Sequence, residues 1–317
     1  MSKKWNDKMV NELMKLYDTH TYEEIANKIN KKFGSNHTPN AVRKTYERNK
    51  YPVIDLAKKE SIKKPKVLLF DIETMPMEAY VWSMFPNYIP LNMIKEDWSV
   101  LSYAAKWMDE DEVFYESIEG QRNQRNDKKV LKKIWKLLDE ADIVVGHNSD
   151  SFDVKKLNAR FLMNDMKPPS SYKRMDTKKM AKKYFAFTSN KLEYLTNKLC
   201  KEQKKSKHNE FPGFQMWLEC INRNSRAFNS MKEYNILDVT SLEELFKIML
   251  PWESSNVFGM YNDSDKPVCS CGNDKFKKDG FYYTNAAKYQ KYRCTKCGAE
   301  HRDSKNLATS KKRTTKR

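Results

Sequence analysis

Two acidic residues, Asp71 and Glu73, stand at the end of an apolar run that starts at Val67. On a β-strand, residues two apart point to the same face, so both carboxylates would lie on one side of the strand. Placing two like charges together at a buried strand is costly without a partner. A divalent cation is a suitable partner, because Mg²⁺ and Mn²⁺ prefer oxygen ligands. The alternative is an ordinary acid pair at the edge of a loop.

Two further segments carry polar groups at positions where they could join this pair. Asp153 follows the apolar run Ile143–Gly146 and opens a predicted helix, which Phe152 is expected to anchor while Asp153 points to the strand ends. Tyr234 and Asp238 are four residues apart inside a long predicted helix, and this spacing places them on the same helix face.

Together, the three segments resemble the DEDDy family of 3′–5′ exonucleases, which includes the proofreading domains of family B DNA polymerases. The motifs stand in the family's order as Asp71-x-Glu73, Asn148-x-x-x-Phe152-Asp153 and Tyr234-x-x-x-Asp238. The resemblance covers about residues 66–250 and also includes Asp176-Thr177 and the segment Ser189 to Leu195. It implies a ribonuclease-H-like domain with a two-metal-ion site.

The resemblance also implies a role for each residue. Asp71 would bridge two Mg²⁺ or Mn²⁺ ions, Glu73 and Asp238 would complete the first site, and Asp153 would hold the second. Tyr234 would orient or deprotonate the attacking water. Asn148 would contact nucleic acid, and His147 is expected to be structural.

The implied function is hydrolysis of single-stranded DNA from its 3′ end. A ribonuclease-H-like nuclease acting on RNA or hybrids is one alternative, and a non-catalytic nucleic-acid-binding regulator is another. The implied partner is DNA or RNA, and a separate DNA polymerase or replication complex is a candidate partner. A stand-alone nuclease of phage or bacterial type, acting in replication or repair, fits this interpretation. Between the first two motifs, Trp82 and Phe85 are candidates to stack on unpaired bases, with core packing or a hairpin cover as the alternative.

The first 50 residues predict three short helices that resemble a helix-turn-helix or Myb-like unit. The second opens at Thr21 with Glu24 three residues later, which is a capping box. The third opens at Thr38 and would present its basic residues to nucleic acid: Arg43, Lys44 and Arg48. A small helical bundle that binds protein is the alternative.

Four cysteines cluster near the C-terminus: Cys269, Cys271, Cys294 and Cys297. A glycine follows each pair, and the intervening segment is rich in β-forming residues, so the arrangement resembles a zinc ribbon with one structural Zn²⁺. The first pair is Cys-x-Cys, where a ribbon usually has Cys-x-x-Cys, so His301 is a candidate to replace one ligand. Lys291 and Arg293 are candidate nucleic-acid contacts.

The net charge of +18 is uneven, with +7 on residues 1–64, +2 on 65–261 and +9 on 262–317. Basic ends around a nearly neutral middle favour binding to a polyanion, and a solubilising surface is the alternative. No apolar run approaches the roughly 20 residues of a membrane span. The start of the chain lacks a signal-peptide core. The expected location is therefore the cytoplasm, that of a bacterial host if a phage encodes the chain.

The predicted fold class is α/β, a ribonuclease-H-like mixed sheet with flanking helices, with a tri-helical domain before it and a zinc ribbon after it. The predicted boundaries are 1–50 for the helix-turn-helix or Myb-like domain, 51–65 for a linker, 66–252 for the exonuclease domain, 266–303 for the zinc ribbon and 304–317 for a disordered basic tail.

Overall fold

The structure is a computed structural model, and it describes residues 5–17, 20–49, 65–86, 88–202, 210–255, 258–261 and 267–308. The side chains of 47–49 and of Met260 are outside this description, as are nearly all of the predicted linker, 51–64, and the end of the predicted tail, 309–317. The chain forms two compact units, Met1–Ser61 and Ile62–Arg317, so the cysteine segment belongs to the same unit as the central sheet.

Between residues 5 and 49, the described part of the first unit forms three helices, α1 (Asp7–Leu16), α2 (Tyr22–Phe33) and α3 (Pro39–Asn49). The predicted capping box at the start of α2 is confirmed: Thr21 accepts from the Glu24 backbone, and the Glu24 side chain accepts from the Thr21 backbone. One apolar side of each helix forms a shared core, whose fully buried members include Met9, Leu13, Ile25, Ile29 and Val42. The three helices are therefore where the apolar spacing predicts them.

The described residues of the second unit form seven strands before its C-terminal segment. They are β1 (Val67–Met75), β2 (Glu78–Ala79), β3 (Ile94–Glu96), β4 (Ser99–Trp107), β5 (Val113–Ser117), β6 (Ile143–Gly146) and β7 (Lys173–Asp176). Five of them form one mixed sheet in the order β5-β4-β1-β6-β7. The pairs β1/β6 and β6/β7 are parallel, while β1/β4 and β4/β5 are antiparallel. The predicted α/β class with a mixed sheet is confirmed.

In the part of this unit that the structure describes, six α-helices cover the sheet: α4 (Lys128–Glu140), α5 (Asp153–Met163), α6 (Thr177–Tyr184), α7 (Leu192–Leu199), α8 (Gln215–Ile221) and α9 (Ser225–Met249). The alternation along β1 separates two cores, because successive strand residues face opposite sides. Leu68, Phe70 and Ile72 pack in one core with residues of α4 and α5. Val67 and Leu69 pack in the other with the C-terminal half of α9. Asp71 and Glu73 continue the second series and so face α9.

Two details of this unit differ from the sequence-based expectation. The strand β7 is not signalled by its sequence, because only Met175 and Asp176 of its four residues are buried. The expectation that Phe152 anchors α5 is wrong, since its side chain is 38% exposed. Val154, Leu157 and Phe161 anchor that helix instead, at the spacing of one buried helix face.

The C-terminal segment forms a small antiparallel sheet in the order β10-β9-β8. Its strands are β8 (Phe276–Thr284), β9 (Ala287–Cys294) and β10 (Glu300–Arg302). The first two form a hairpin, as the β-rich sequence predicts. Among the described ranges, no helix combines the length and apolar character needed to cross a membrane.

Candidate active site

Three of the four predicted acids meet where β1 passes under α9. Asp71, Glu73 and Asp238 each present a carboxylate oxygen, and these oxygens all lie within 4.8 Å of one another. Asp71 and Glu73 face α9 because they share the parity of Val67 and Leu69 on β1. Carboxylates gathered this closely repel one another unless a cation or a proton separates them. The group therefore has the donor type and the spacing that a divalent cation requires.

Asn235 fixes the orientation of Asp71, a role that is not predicted from the sequence. Its amide nitrogen donates to Asp71 Oδ2 at 2.8 Å, and its amide oxygen accepts from the Ser102 hydroxyl at 3.1 Å. The Asn235 side chain is fully buried. One sequence feature could have indicated this role. Asn235 follows Tyr234 directly on a helix that packs against the sheet, and a buried amide side chain needs hydrogen-bond partners.

Asn235→Ala is expected to lower the free energy of unfolding by about 1–3 kcal/mol, because Ser102 and Asp71 lose a buried partner. It is also expected to weaken Mg²⁺ binding, since Asp71 is no longer held by its Oδ2. Urea unfolding with and without Mg²⁺ measures both effects. Asn158→Ala, at an exposed position on α5, is the matched control and should change stability by less than about 0.5 kcal/mol. Unchanged stability and an unchanged Mg²⁺ response in Asn235→Ala would contradict this role.

Asp153, the fourth acid, is at the start of α5 and is buried. One of its carboxylate oxygens accepts from the backbone N–H of Ile72, between Asp71 and Glu73, at 3.2 Å. Burial raises the pKa of Asp153 to about 6, against hydrogen bonds from Ile72 and its own backbone that lower it. Asp153 is thus held beside the strand but is not one of the three acids that share the 4.8 Å cluster.

Tyr234 packs beside the three acids from one turn earlier on α9. Its ring meets that of Trp217 edge to face, with centroids 6.3 Å apart. Burial raises the pKa of Tyr234 well above its ordinary value, and the carboxylates of Asp238, Glu73 and Asp71 raise it further. A bound cation would offset the carboxylates but not the burial, so the hydroxyl is suited to donating a hydrogen bond.

The loop that carries Asn148 is held by a buried carboxylate. The backbone N–H groups of Asn148 and Asp150 donate to Asp176 at 3.0 and 3.2 Å, and Asp176 also caps the start of α6. Asn148 has a φ of 69°, a left-handed conformation that asparagine tolerates. A Cβ added at Gly146 would lie 2.4 Å from the Ser149 Cβ, so the turn closes only on glycine. Asp176 thus shapes the segment that leads to Asp153.

His147 has protein partners on both ring nitrogens. Nδ1 is 2.9 Å from the Thr177 hydroxyl, and Nε2 is 2.9 Å from the carbonyl oxygen of Asn190. Burial lowers its pKa. These contacts fit the structural role expected for His147 from the sequence.

The aromatic stretch between β2 and β3 is exposed, apart from the position at 87, which is outside the description. Trp82 is 97% exposed and Phe85 is 87% exposed. Core packing of these two rings therefore does not occur in the structure. The base of the stretch is held by Arg125, which donates to Glu78 at 2.6 Å and to the Pro76 carbonyl at 2.8 Å.

The four clustered cysteines meet in the C-terminal segment. The Sγ atoms of Cys269 and Cys297 are 3.5 Å apart, and those of Cys271 and Cys294 are 3.7 Å apart. All four Sγ atoms lie within 4.8 Å of one another. Burial alone would raise the pKa of Cys294, but hydrogen bonds from the Cys297 backbone and other donors lower it to about 6. Four sulfurs arranged in this way fit a tetrahedral Zn²⁺.

The glycine after each cysteine pair is required by the backbone, since Gly272 and Gly298 both have a φ of 78°. His301 Nε2 is 3.3 Å from Cys269 Sγ, so it lies against a sulfur of the four-cysteine group. Within the described residues, the geometry groups the four sulfurs without His301.

The remaining predicted nucleic-acid contacts fall in different settings. Arg43 and Lys44 are exposed on α3, and the side chain of Arg48 lies outside the described residues. Arg293 donates to Asp279 at 2.8 Å, and Lys291 is 3.3 Å from Glu300. Lys291 and Arg293 thus take part in ion pairs between the three strands of the C-terminal sheet.

The chain is similar to one protein family and to a solved structure. Residues 95–250 match the family RNase_H_2, described as RNase_H superfamily. Among solved structures, the chain is similar to the family B DNA polymerase from the hyperthermophilic archaeon Pyrobaculum calidifontis. That similarity has 17% sequence identity and a TM-score of 0.44, and it covers 59% of this chain and 25% of the polymerase. No curated protein sequence gives a significant match.

Residues 95–250 therefore carry the sequence signature of an RNase H superfamily domain, which agrees with the mixed sheet and its flanking helices. The matched residues include Asp153, Tyr234 and Asp238, whereas Asp71 and Glu73 precede them on β1. The structure adds β1 to this domain as its central strand, between β4 and β6.

Proposed function

We propose that this chain is a metal-dependent 3′–5′ exonuclease of single-stranded DNA, of the tyrosine-containing DEDD class. The observation that carries the proposal is the meeting of Asp71, Glu73 and Asp238 within 4.8 Å at the sheet–α9 junction. Tyr234 on the preceding turn of α9 distinguishes this arrangement from an ordinary acidic cluster.

In this proposal, Asp71, Glu73 and Asp238 hold one divalent cation, and Asp153 contributes to a second. Such cations, when bound, activate a water molecule and offset the charge that develops on the scissile phosphate. Asn235 keeps a carboxylate oxygen of Asp71 fixed. Tyr234 retains its proton and orients the water or a phosphate oxygen by a hydrogen bond.

The substrate strand needs contacts away from the reacting phosphate. Trp82 and Phe85 offer exposed rings on which unpaired bases can stack. Asn148 would contact the strand from the loop that leads to Asp153, where its backbone is held by Asp176. The exposed Arg43 and Lys44 of α3, with Arg48, would add phosphate contacts from the first unit.

A comparison of linear with circular single-stranded DNA of the same sequence tests this function. An exonuclease needs a free end, so with Mg²⁺ the linear strand is expected to be degraded to nucleotides while the circle stays intact. Asp238→Asn should leave both substrates intact and controls for contaminating nucleases. Nicking of the circle would show an endonuclease. Cleavage confined to the RNA of a hybrid would support the alternative RNase H activity.

A further inference from the structure

The hairpin formed by β8 and β9 carries large aromatic side chains in contact with solvent. Tyr283 is 65% exposed and Phe281 is 42% exposed. Both are in a strand whose other residues are also mostly exposed, and the small core of this sheet is formed elsewhere, around Cys269, Cys294 and Ala299. Exposed apolar rings grouped in this way mark a contact surface.

The pairing of the two strands places a cation among these rings. Tyr283 is directly opposite Lys288, and Phe281 is two residues earlier on the same face. The Lys288 ammonium lies 3.7 Å from the centroid of the Phe281 ring and 5.7 Å from that of Tyr283. On the other face, Arg302 lies over Tyr282 and Tyr289. The tip of the hairpin therefore presents rings and cations together.

The charge around this tip suits a polyanion. Residues 267–308 include nine lysine or arginine residues and four acidic residues, and none of the acidic residues lies between Gly280 and Ala299 in the sequence. Arg293 forms an ion pair with Asp279, and Lys291 forms one with Glu300. These ion pairs connect neighbouring strands of the sheet. The Lys288 ammonium instead lies over the rings of Phe281 and Tyr283, on the same face of the hairpin as these rings.

We propose that the hairpin face formed by Phe281, Tyr283 and Lys288 binds single-stranded DNA. The two ring centroids are 6.4 Å apart and the ring planes are inclined by 61°, so the rings present differently directed faces, and separate bases of a flexible single strand can stack on them. Lys288 then contacts a phosphate between them. Paired bases are already stacked and cannot reach the rings, so the surface favours unpaired DNA. This assignment rests on the proposed function, for which it supplies a grip on the substrate outside the active site.

Binding of a fluorescent oligothymidylate to the full chain tests the proposal without hydrolysis, in an Asp71→Asn background. Tyr283→Ala is expected to weaken binding about 5- to 150-fold, the effect of losing one base stack. Tyr283→Trp should retain the affinity. Lys288→Ala should weaken binding and reduce the salt slope by about 0.7. Lys275→Ala, which removes an exposed lysine just before β8, at the other end of the hairpin, is the charge-matched control and should change the affinity less than Lys288→Ala.

Several results would overturn the proposal. If the parent, Tyr283→Ala and Lys288→Ala proteins bind DNA with equal affinity and contain the same amount of zinc, the hairpin does not bind DNA. Tighter binding of oligouridylate would assign the surface to RNA. A loss of self-association in sedimentation with unchanged DNA affinity would show a protein contact. These outcomes are independent of whether the wild-type chain hydrolyses DNA, because the experiment measures only binding to the Asp71→Asn chain.

Discussion

Asp71→Asn is expected to lower the rate of DNA hydrolysis by about a thousandfold or more. Asp71 is the acid that Asn235 holds at 2.8 Å, and it shares the 4.8 Å cluster with Glu73 and Asp238. Removing its charge weakens the cation site, whose contribution to a phosphoryl transition state is several kcal/mol. Single-turnover digestion of a labelled strand at saturating Mg²⁺ measures the rate.

The same variant should fold normally, since the substitution preserves size and removes one of three mutually repelling charges. Its melting temperature without metal should equal or exceed that of the wild type. Mg²⁺ should raise the melting temperature of the wild type and not that of the variant. Asp111→Asn is the matched control, because Asp111 is an exposed acid beside β5. Full activity in Asp71→Asn would show that these acids do not form the catalytic site.

Cys294→Ser is expected to abolish zinc binding and to unfold the segment 267–308. The only fully apolar core there is small, comprising Cys269, Cys294 and Ala299 with partial cover from Phe276. A bound structural zinc contributes on the order of 10 kcal/mol to the folding of such a segment. Metal analysis should give one zinc per wild-type chain and none per variant chain, and limited proteolysis should cut the variant within this segment.

Cys200→Ala provides the control, because Cys200 is buried against α9 and is outside the four-cysteine group. This variant should keep its zinc and its C-terminal protease resistance. One zinc per chain in Cys294→Ser would point to His301 as a ligand, since its ring lies 3.3 Å from Cys269 Sγ. An unchanged protease pattern without zinc would contradict the requirement for metal.

The features that the sequence predicts are those set by short spacing. The alternation along β1 assigns Asp71 and Glu73 to one face, and four-residue spacing does the same for Tyr234 and Asp238 on α9. A capping box marks the start of α2. Each of these relations involves neighbouring residues, so no knowledge of distant contacts is needed.

The features that the sequence does not predict depend on contacts between distant segments. Asn235 orients Asp71 from 164 positions away, and Asp176 holds the loop at Asn148 from 28 positions away. The sequence alone does not distinguish the basic residues of the C-terminal sheet that form ion pairs from those that lie over aromatic rings. Only the strand pairing shows that Arg293 bonds to Asp279 and that Lys288 lies beside Phe281.

Digestion of single-stranded DNA labelled at one end tests the direction of hydrolysis most directly. With Mg²⁺, a 5′-labelled strand should give a ladder that shortens one nucleotide at a time, and a 3′-labelled strand should release labelled mononucleotide at once. Asp71→Asn should give neither product. The reverse pattern would show attack from the 5′ end, and a wild-type chain that yields no Mg²⁺-dependent product would contradict an exonuclease built on Asp71, Glu73, Asp153 and Asp238.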